Sequence, residues 1–94
     1  MRLRGRVDRN QQEIADSLRR AGCSVCVTSN LGVGVADLLA GYRGKNFLFE
    51  IKDGTLSPSR RKLTEKERQW HDGWKGQVSV IYSVEDALRI IELG

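Results

Sequence analysis

The segment Asn46-Phe47-Leu48-Phe49-Glu50-Ile51-Lys52 decides the fold. Phe47, Phe49 and Ile51 alternate with Leu48, Glu50 and Lys52, the period-two pattern of a strand. Glu50 and Lys52 are two positions apart and share one sheet face. The three apolar residues on the other face need an apolar partner layer. Upstream, Val35 to Ala40 reads as a second strand carrying Asp37. Gly41 to Gly44 reads as a turn, so the two runs pair as a hairpin. Farther upstream, Ser29 to Gly34 is a turn-rich loop and Cys23 to about Thr28 a strand. A helix precedes it, N-capped by Asp8, running to about Ala21 and stopped by Gly22. Val7, Ile14, Leu18 and Ala21 fall on one face of that helix.

Downstream, Asp53 to Lys62 is a loop holding the single proline and the basic run Arg60-Arg61-Lys62. Thr64 opens a second helix, with Glu67 three residues on in a capping-box pattern. This helix ends near Gly76. Gln77 to Tyr82 forms a fourth strand, and Ser83 with Asp86 starts a last helix bearing Val84, Leu88 and Ile91 on one face. The order is α-β-β-β-α-β-α. It implies an α/β fold with a four-stranded mixed sheet flanked by helices, residues 1–94 making one domain.

Composition narrows the classes. The chain has 94 residues, 39% hydrophobic and 30% charged, with 16 Lys and Arg against 12 Asp and Glu. A chain this short buries only about 60–65% of its unfolded surface, so its core is modest. No apolar run approaches the ~18 residues of a membrane span. Residues 1–10 carry four arginines with no apolar stretch behind them, unlike a secretory signal. Membrane proteins, secreted disulfide miniproteins, collagens and disordered tails are excluded as classes. Cys23 and Cys26 lack the further soft ligands that zinc needs, only His71 remaining. They also sit on a strand rather than opening a helix. Two buried free thiols are expected, which suits a reducing cytoplasm.

Three carboxylates stand out. Asp37 interrupts an otherwise apolar strand, so it lies at an edge, is paired, or binds a cation. Glu50 shares its face with Lys52; on spacing alone, a half-exposed hairpin with a solvated Glu–Lys face is the favoured reading. Glu67 falls with Leu63, Trp70 and Trp74 on one helix side and is aimed at the sheet, although capping also explains a carboxylate there. Gln11 lies among Val7, Ile14 and Leu18 on the inward face of the first helix. Hard oxygen donors in this number suit Mg²⁺ or Mn²⁺. A lysine beside them has a use where an anionic group reacts. His71, four residues after Glu67 at the flank of the Trp70/Trp74 face, is a candidate general base but reads first as a helix-surface or packing histidine. Trp70 and Trp74 read as core or subunit interface. The loop Gly32-Val33-Gly34 lacks the Lys-Ser/Thr of a nucleotide P-loop.

Gly34-Val35-Ala36-Asp37-Leu38 followed by Phe49-Glu50-Ile51-Lys52 resembles the PD-(D/E)XK nuclease signature. More narrowly, the chain is similar to a stand-alone virus-type replication-repair nuclease (VRR-NUC) domain. The resemblance runs from Asn10-Gln11 to the final helix, through Leu63-Thr64 and Gly76-Gln77-Val78. It implies the restriction-endonuclease-like αβββαβ core and metal-dependent phosphodiester hydrolysis. It places the metal on Asp37, Glu50 and the Ile51 carbonyl, with Lys52 assisting the attacking water. Gln11 stands where relatives carry a first-helix Glu or Gln, and Glu67 where they often carry Gln. Relatives of this type are typically homodimers resembling Holliday-junction resolvases. Ala36 replaces the usual proline, which only stiffens the turn. Gln11 in place of Glu lowers the site's charge and favours one-metal chemistry.

The basic residues complete the picture. Arg2, Arg4, Arg6 and Arg9 crowd the start, and Arg60, Arg61 and Lys62 crowd the loop leaving the Glu50–Lys52 strand. Such asymmetry is the footprint of a phosphate-backbone binder, or of a solvated basic surface. The leading expectation is a Mg²⁺- or Mn²⁺-dependent endonuclease, homodimeric and acting on branched DNA in a bacterial or phage-infected cytoplasm. Two alternatives stand beside it. One is a non-catalytic DNA-binding or assembly module on a nuclease-like fold. The other is an interaction domain using Trp70 and Trp74.

Overall fold

A computed structural model of the chain describes residues 9–94. Helix α1 (Arg9–Arg20) leads into β1 (Ser24–Val27), β2 (Leu38–Tyr42) and β3 (Lys45–Ile51). Helix α2 (Glu65–Gly73), β4 (Ser79–Ile81) and α3 (Val84–Leu93) follow, with a short 3₁₀ turn at Pro58–Arg60. The sheet order is β1-β2-β3-β4. The first two pairings are antiparallel and β3–β4 is parallel. This is the mixed four-stranded α/β architecture expected from the alternation and cap signals.

Phe49, Leu38 and Ile81 point to one sheet face and are fully buried with Ile14 and Leu18 of α1 and Ala87 and Ile91 of α3. Ala21 is exposed; Ala15 joins the core in its place. The chain is already turning at Ala21, because Gly22 takes φ +102° and ends the helix. The expected Val7 and Asp8 positions lie outside the described residues. Among the described residues no helix is long and apolar enough to cross a membrane.

Several boundaries move for identifiable reasons. The β2–β3 turn is two residues, Arg43-Gly44, both at positive φ (52° and 81°). That geometry matches the twist of a tight hairpin and lets β2 run on through Gly41 and Tyr42. At its other end β2 begins only at Leu38, so Asp37 sits just before the strand rather than within it. β4 is shorter than expected because Gln77 pairs through its side chain. Its amide accepts from the Leu48 N–H (2.8 Å) and donates to the Leu48 carbonyl (3.1 Å), imitating one rung of the ladder. Helix α2 stops at Gly73, where Trp74 leaves helical geometry.

The thiols divide. Cys23 is buried, but Cys26 is exposed, because its side of β1 at the sheet edge carries no covering helix. Gly34 makes the close approach that orders the loop before Asp37. Its φ is +86°, and an added Cβ would lie 2.5 Å from the Lys66 carbonyl oxygen. Gly34→Ala is therefore expected to destabilise the chain by about 1–3 kcal/mol, from backbone strain and overpacking. A chemical denaturation midpoint unchanged by that substitution would contradict the packing.

Candidate active site

Asp37 is clamped from several directions. Its backbone N–H donates to the Phe49 carbonyl (2.9 Å), and its carbonyl accepts from the Thr28 N–H (2.8 Å). The buried Thr28 hydroxyl donates to the neighbouring Ala36 carbonyl (2.6 Å). The Asp37 side chain reaches across the hairpin, where Oδ2 accepts from the Ile51 N–H at 2.7 Å. Asp37 is thus fixed against the end of β3 that carries Glu50, Ile51 and Lys52.

Glu50 is 1% exposed, which overturns the solvated reading of the Glu–Lys face. α2 covers it. Burial, reinforced by the adjacent Asp37 carboxyl, pushes Glu50 up to about 9. Asp37 is also raised by burial, a rise that the Ile51 amide opposes. Two neighbouring carboxyls in low dielectric resist simultaneous ionisation without a proton or cation between them.

Lys52 and Glu67 form a half-buried ion pair, Nζ to Oε1 at 2.6 Å. The same Glu67 oxygen accepts from the Thr64 N–H (2.9 Å), while the Thr64 hydroxyl accepts from the Glu67 N–H (3.2 Å). Capping and inward aim are therefore both true of Glu67. Burial works to raise its carboxyl, but Lys52 and the Thr64 amide outweigh that and hold it below the usual range.

His71 was expected on the surface or in packing. Its side chain is only 11% exposed, with Nε2 3.1 Å from Glu50 Oε1. The signal lay in its spacing: four residues after Glu67 is one turn along the same helix face. Trp70 and Trp74 stack at 4.9 Å outside the core, and Trp74 is 43% exposed. Helix α2 ends there, so no further turn covers them.

Gln11 is buried as expected, yet no hydrogen bond among the described residues joins its side chain to Asp37 or Glu50. Arg4 and Arg6 lie outside the described residues, as does the side chain of Arg9. Arg60 and Lys62 are exposed. Arg61 is instead committed, its guanidinium lying 5.2 Å from the centre of the Tyr82 ring and donating to the Gly54 carbonyl at 3.0 Å.

The arrangement brings together Asp37, Glu50, Lys52, Glu67 and His71. Among the described residues no three His, Cys, Asp or Glu side chains stand in a metal-holding group. A cation here would use the two carboxyls and a backbone oxygen, donors that suit a hard divalent ion. Comparison of the chain with protein-family models, curated proteins and solved structures gives no match.

Proposed function

We propose that the chain is a Mg²⁺- or Mn²⁺-dependent DNA endonuclease that hydrolyses phosphodiester bonds. The observation that carries this reading is Asp37 pinned to the Ile51 amide beside the buried Glu50, with Lys52 one residue farther on. It is the arrangement implied by the resemblance to PD-(D/E)XK nucleases. Asp37, Glu50 and the Ile51 carbonyl would hold the cation, and Gln11 would lie at the periphery. When bound, the cation supplies Lewis acidity and lowers the pKa of attacking water. Lys52 orients that water and offsets the negative charge that grows on the phosphate. Glu67 keeps the ammonium in place. Water attacks phosphorus, the P–O ester bond breaks, and the departing oxygen takes up a proton.

The preferred substrate in this reading is branched DNA such as a four-way junction. Symmetric cleavage of a junction needs two sites related by a two-fold axis, hence a homodimer. Exposed Trp74, Tyr82 and Leu93 offer apolar surface for it. Free thiols agree with a bacterial or phage-infected cytoplasm. Arg60 and Lys62, with the N-terminal arginines, would contact phosphates, whereas Arg61 anchors the loop.

The deciding experiment incubates purified protein with labelled four-way-junction and linear duplex DNA in Mg²⁺, Mn²⁺ or EDTA. Metal-dependent paired cuts on the junction are expected. Cutting of linear DNA alone would retain the nuclease and remove the junction preference. Binding without cutting in any metal would favour a non-catalytic DNA-binding module, a reading suggested by the engagement of Lys52 with Glu67. The double substitution Arg60→Ala, Lys62→Ala should weaken binding to all DNA forms. It should also flatten the log K against log salt slope by about 0.9 for each phosphate no longer neutralised. An effect on one sequence only would make the loop a base reader.

A further inference from the structure

The Trp70–Trp74 stack and His71 have no part in the proposed hydrolysis, yet they are joined to it. Leu48 and Glu50 occupy the same face of β3, two residues apart. Leu48 is held on both its backbone groups by the Gln77 side chain. The Gln77 carbonyl accepts from Trp74 Nε1 at 3.1 Å. Trp74 stacks on Trp70, and Trp70 meets the His71 ring edge-on, centroids 5.6 Å apart and planes at 75°. His71 then returns to Glu50 at 3.1 Å. The path leaves β3, passes along the end of α2 and comes back to β3 at the acid.

We infer that His71 is a positioning residue for Glu50, its imidazole fixing the rotation of the carboxyl group so that Glu50 meets Asp37 and the incoming cation in one orientation. The inference rests on the metal-dependent reading above. Once a cation ionises Glu50, its carboxylate can accept from an Nε2–H of His71, and Trp70, itself stacked on Trp74, packs edge-on against the imidazole. A carboxylate that binds a cation needs such a partner, because otherwise its rotation must be frozen when the ion arrives. A histidine required only for packing would need no polar atom toward a residue that is 1% exposed.

Two substitutions separate the hydrogen bond from the bulk. His71→Phe keeps a ring against Trp70 and removes the donor. His71→Gln keeps an N–H donor on a flexible side chain. Mn²⁺ binding to the full chain, read by titration calorimetry and by loss of the free-ion electron paramagnetic resonance signal, is the primary measurement. His71→Phe should weaken Mn²⁺ binding by about 10–100-fold, the usual effect of removing a hydrogen-bond partner from a metal ligand. His71→Gln should recover most of that affinity. In cleavage assays, His71→Phe should raise the Mn²⁺ concentration for half-maximal rate while leaving the rate at saturating Mn²⁺ close to that of the unaltered chain.

Equal Mn²⁺ affinity in His71→Phe and the unaltered chain would overturn the inference and leave the nuclease reading standing. So would a His71→Gln variant as weak as His71→Phe. Cleavage abolished even at saturating Mn²⁺ would also overturn it, making the imidazole a participant in the reaction itself. An unaltered chain that binds no Mn²⁺ would overturn the nuclease reading and the inference together.

Discussion

Lys52→Ala is expected to lower metal-dependent DNA cleavage by about 100–1,000-fold, the range for removing one preorganised group that stabilises the charge developing in the transition state. Duplex binding should stay nearly intact, because the exposed cations at Arg60 and Lys62 are untouched. The substitution also breaks the ion pair with Glu67. That pair is partly solvent-exposed, at 15% and 21% for the two side chains, and Glu67 keeps the Thr64 N–H as partner. The stability cost should therefore be about 1–3 kcal/mol, below that for breaking a fully buried pair. A filter-binding assay beside a single-turnover cleavage assay separates the two roles. Equal loss of binding and cutting would reduce Lys52 to a phosphate-binding cation.

The second large effect concerns Glu50 and pH. Its ordinary value is 4.5, and in the folded chain it is pushed up to about 9. Between these values the native state holds a proton that the unfolded state has released, so stability falls as pH rises. The stabilising contribution is complete below 4.5 and disappears as pH passes through 9. Glu50→Gln removes this titration while keeping the side chain's size. The metal-free variant should match the unaltered chain near pH 4.5 and melt clearly higher at about pH 8, the gap widening as pH rises. On the usual scale about 1 kcal/mol moves the midpoint of a domain this size by about 4–8 °C. Some slope should survive through Asp37, which is raised as well. The same variant should lose cleavage. Thermal melts of both proteins in EDTA across this range check the claim; parallel curves would contradict it.

The architecture was legible because its signals are local. Alternation in residues 46–52 marks β3, the Thr64–Glu67 box marks the start of α2, and Ser83 with Asp86 marks α3. Asp37 and Glu67 were legible as polar residues at positions where apolar ones are expected, whereas Glu50 and Lys52 stood on a face whose spacing fits solvent exposure and were marked only by the resemblance. The misses come from interactions made across space. Asp37 stands before its strand because it is tied to Ile51, fourteen residues away in the chain. β4 is short because a glutamine side chain replaces its first rung. His71 looked ordinary because helix spacing places it beside Glu67 but says nothing of the acid on the facing strand. Arg61 reads as a free cation in the sequence because nothing local signals the Tyr82 ring beneath it.

The tight Arg43-Gly44 hairpin has a consequence for the order of assembly. Asp37 and Glu50 lie at the open end of the two strands that it joins, with Leu38 opposite Phe49. Isolated hairpins form in about 1–10 μs, faster than most tertiary packing. We expect the two acids to meet as the hairpin zips shut, and Glu67 and His71 to arrive only when α2 docks from a distant part of the chain. In that order of events the carboxyl pair first faces water, where its mutual repulsion is screened and no proton need be retained, and its desolvation falls late, on the docking of α2. The electrostatic strain of this site should accordingly appear in the unfolding rate more than in the folding rate.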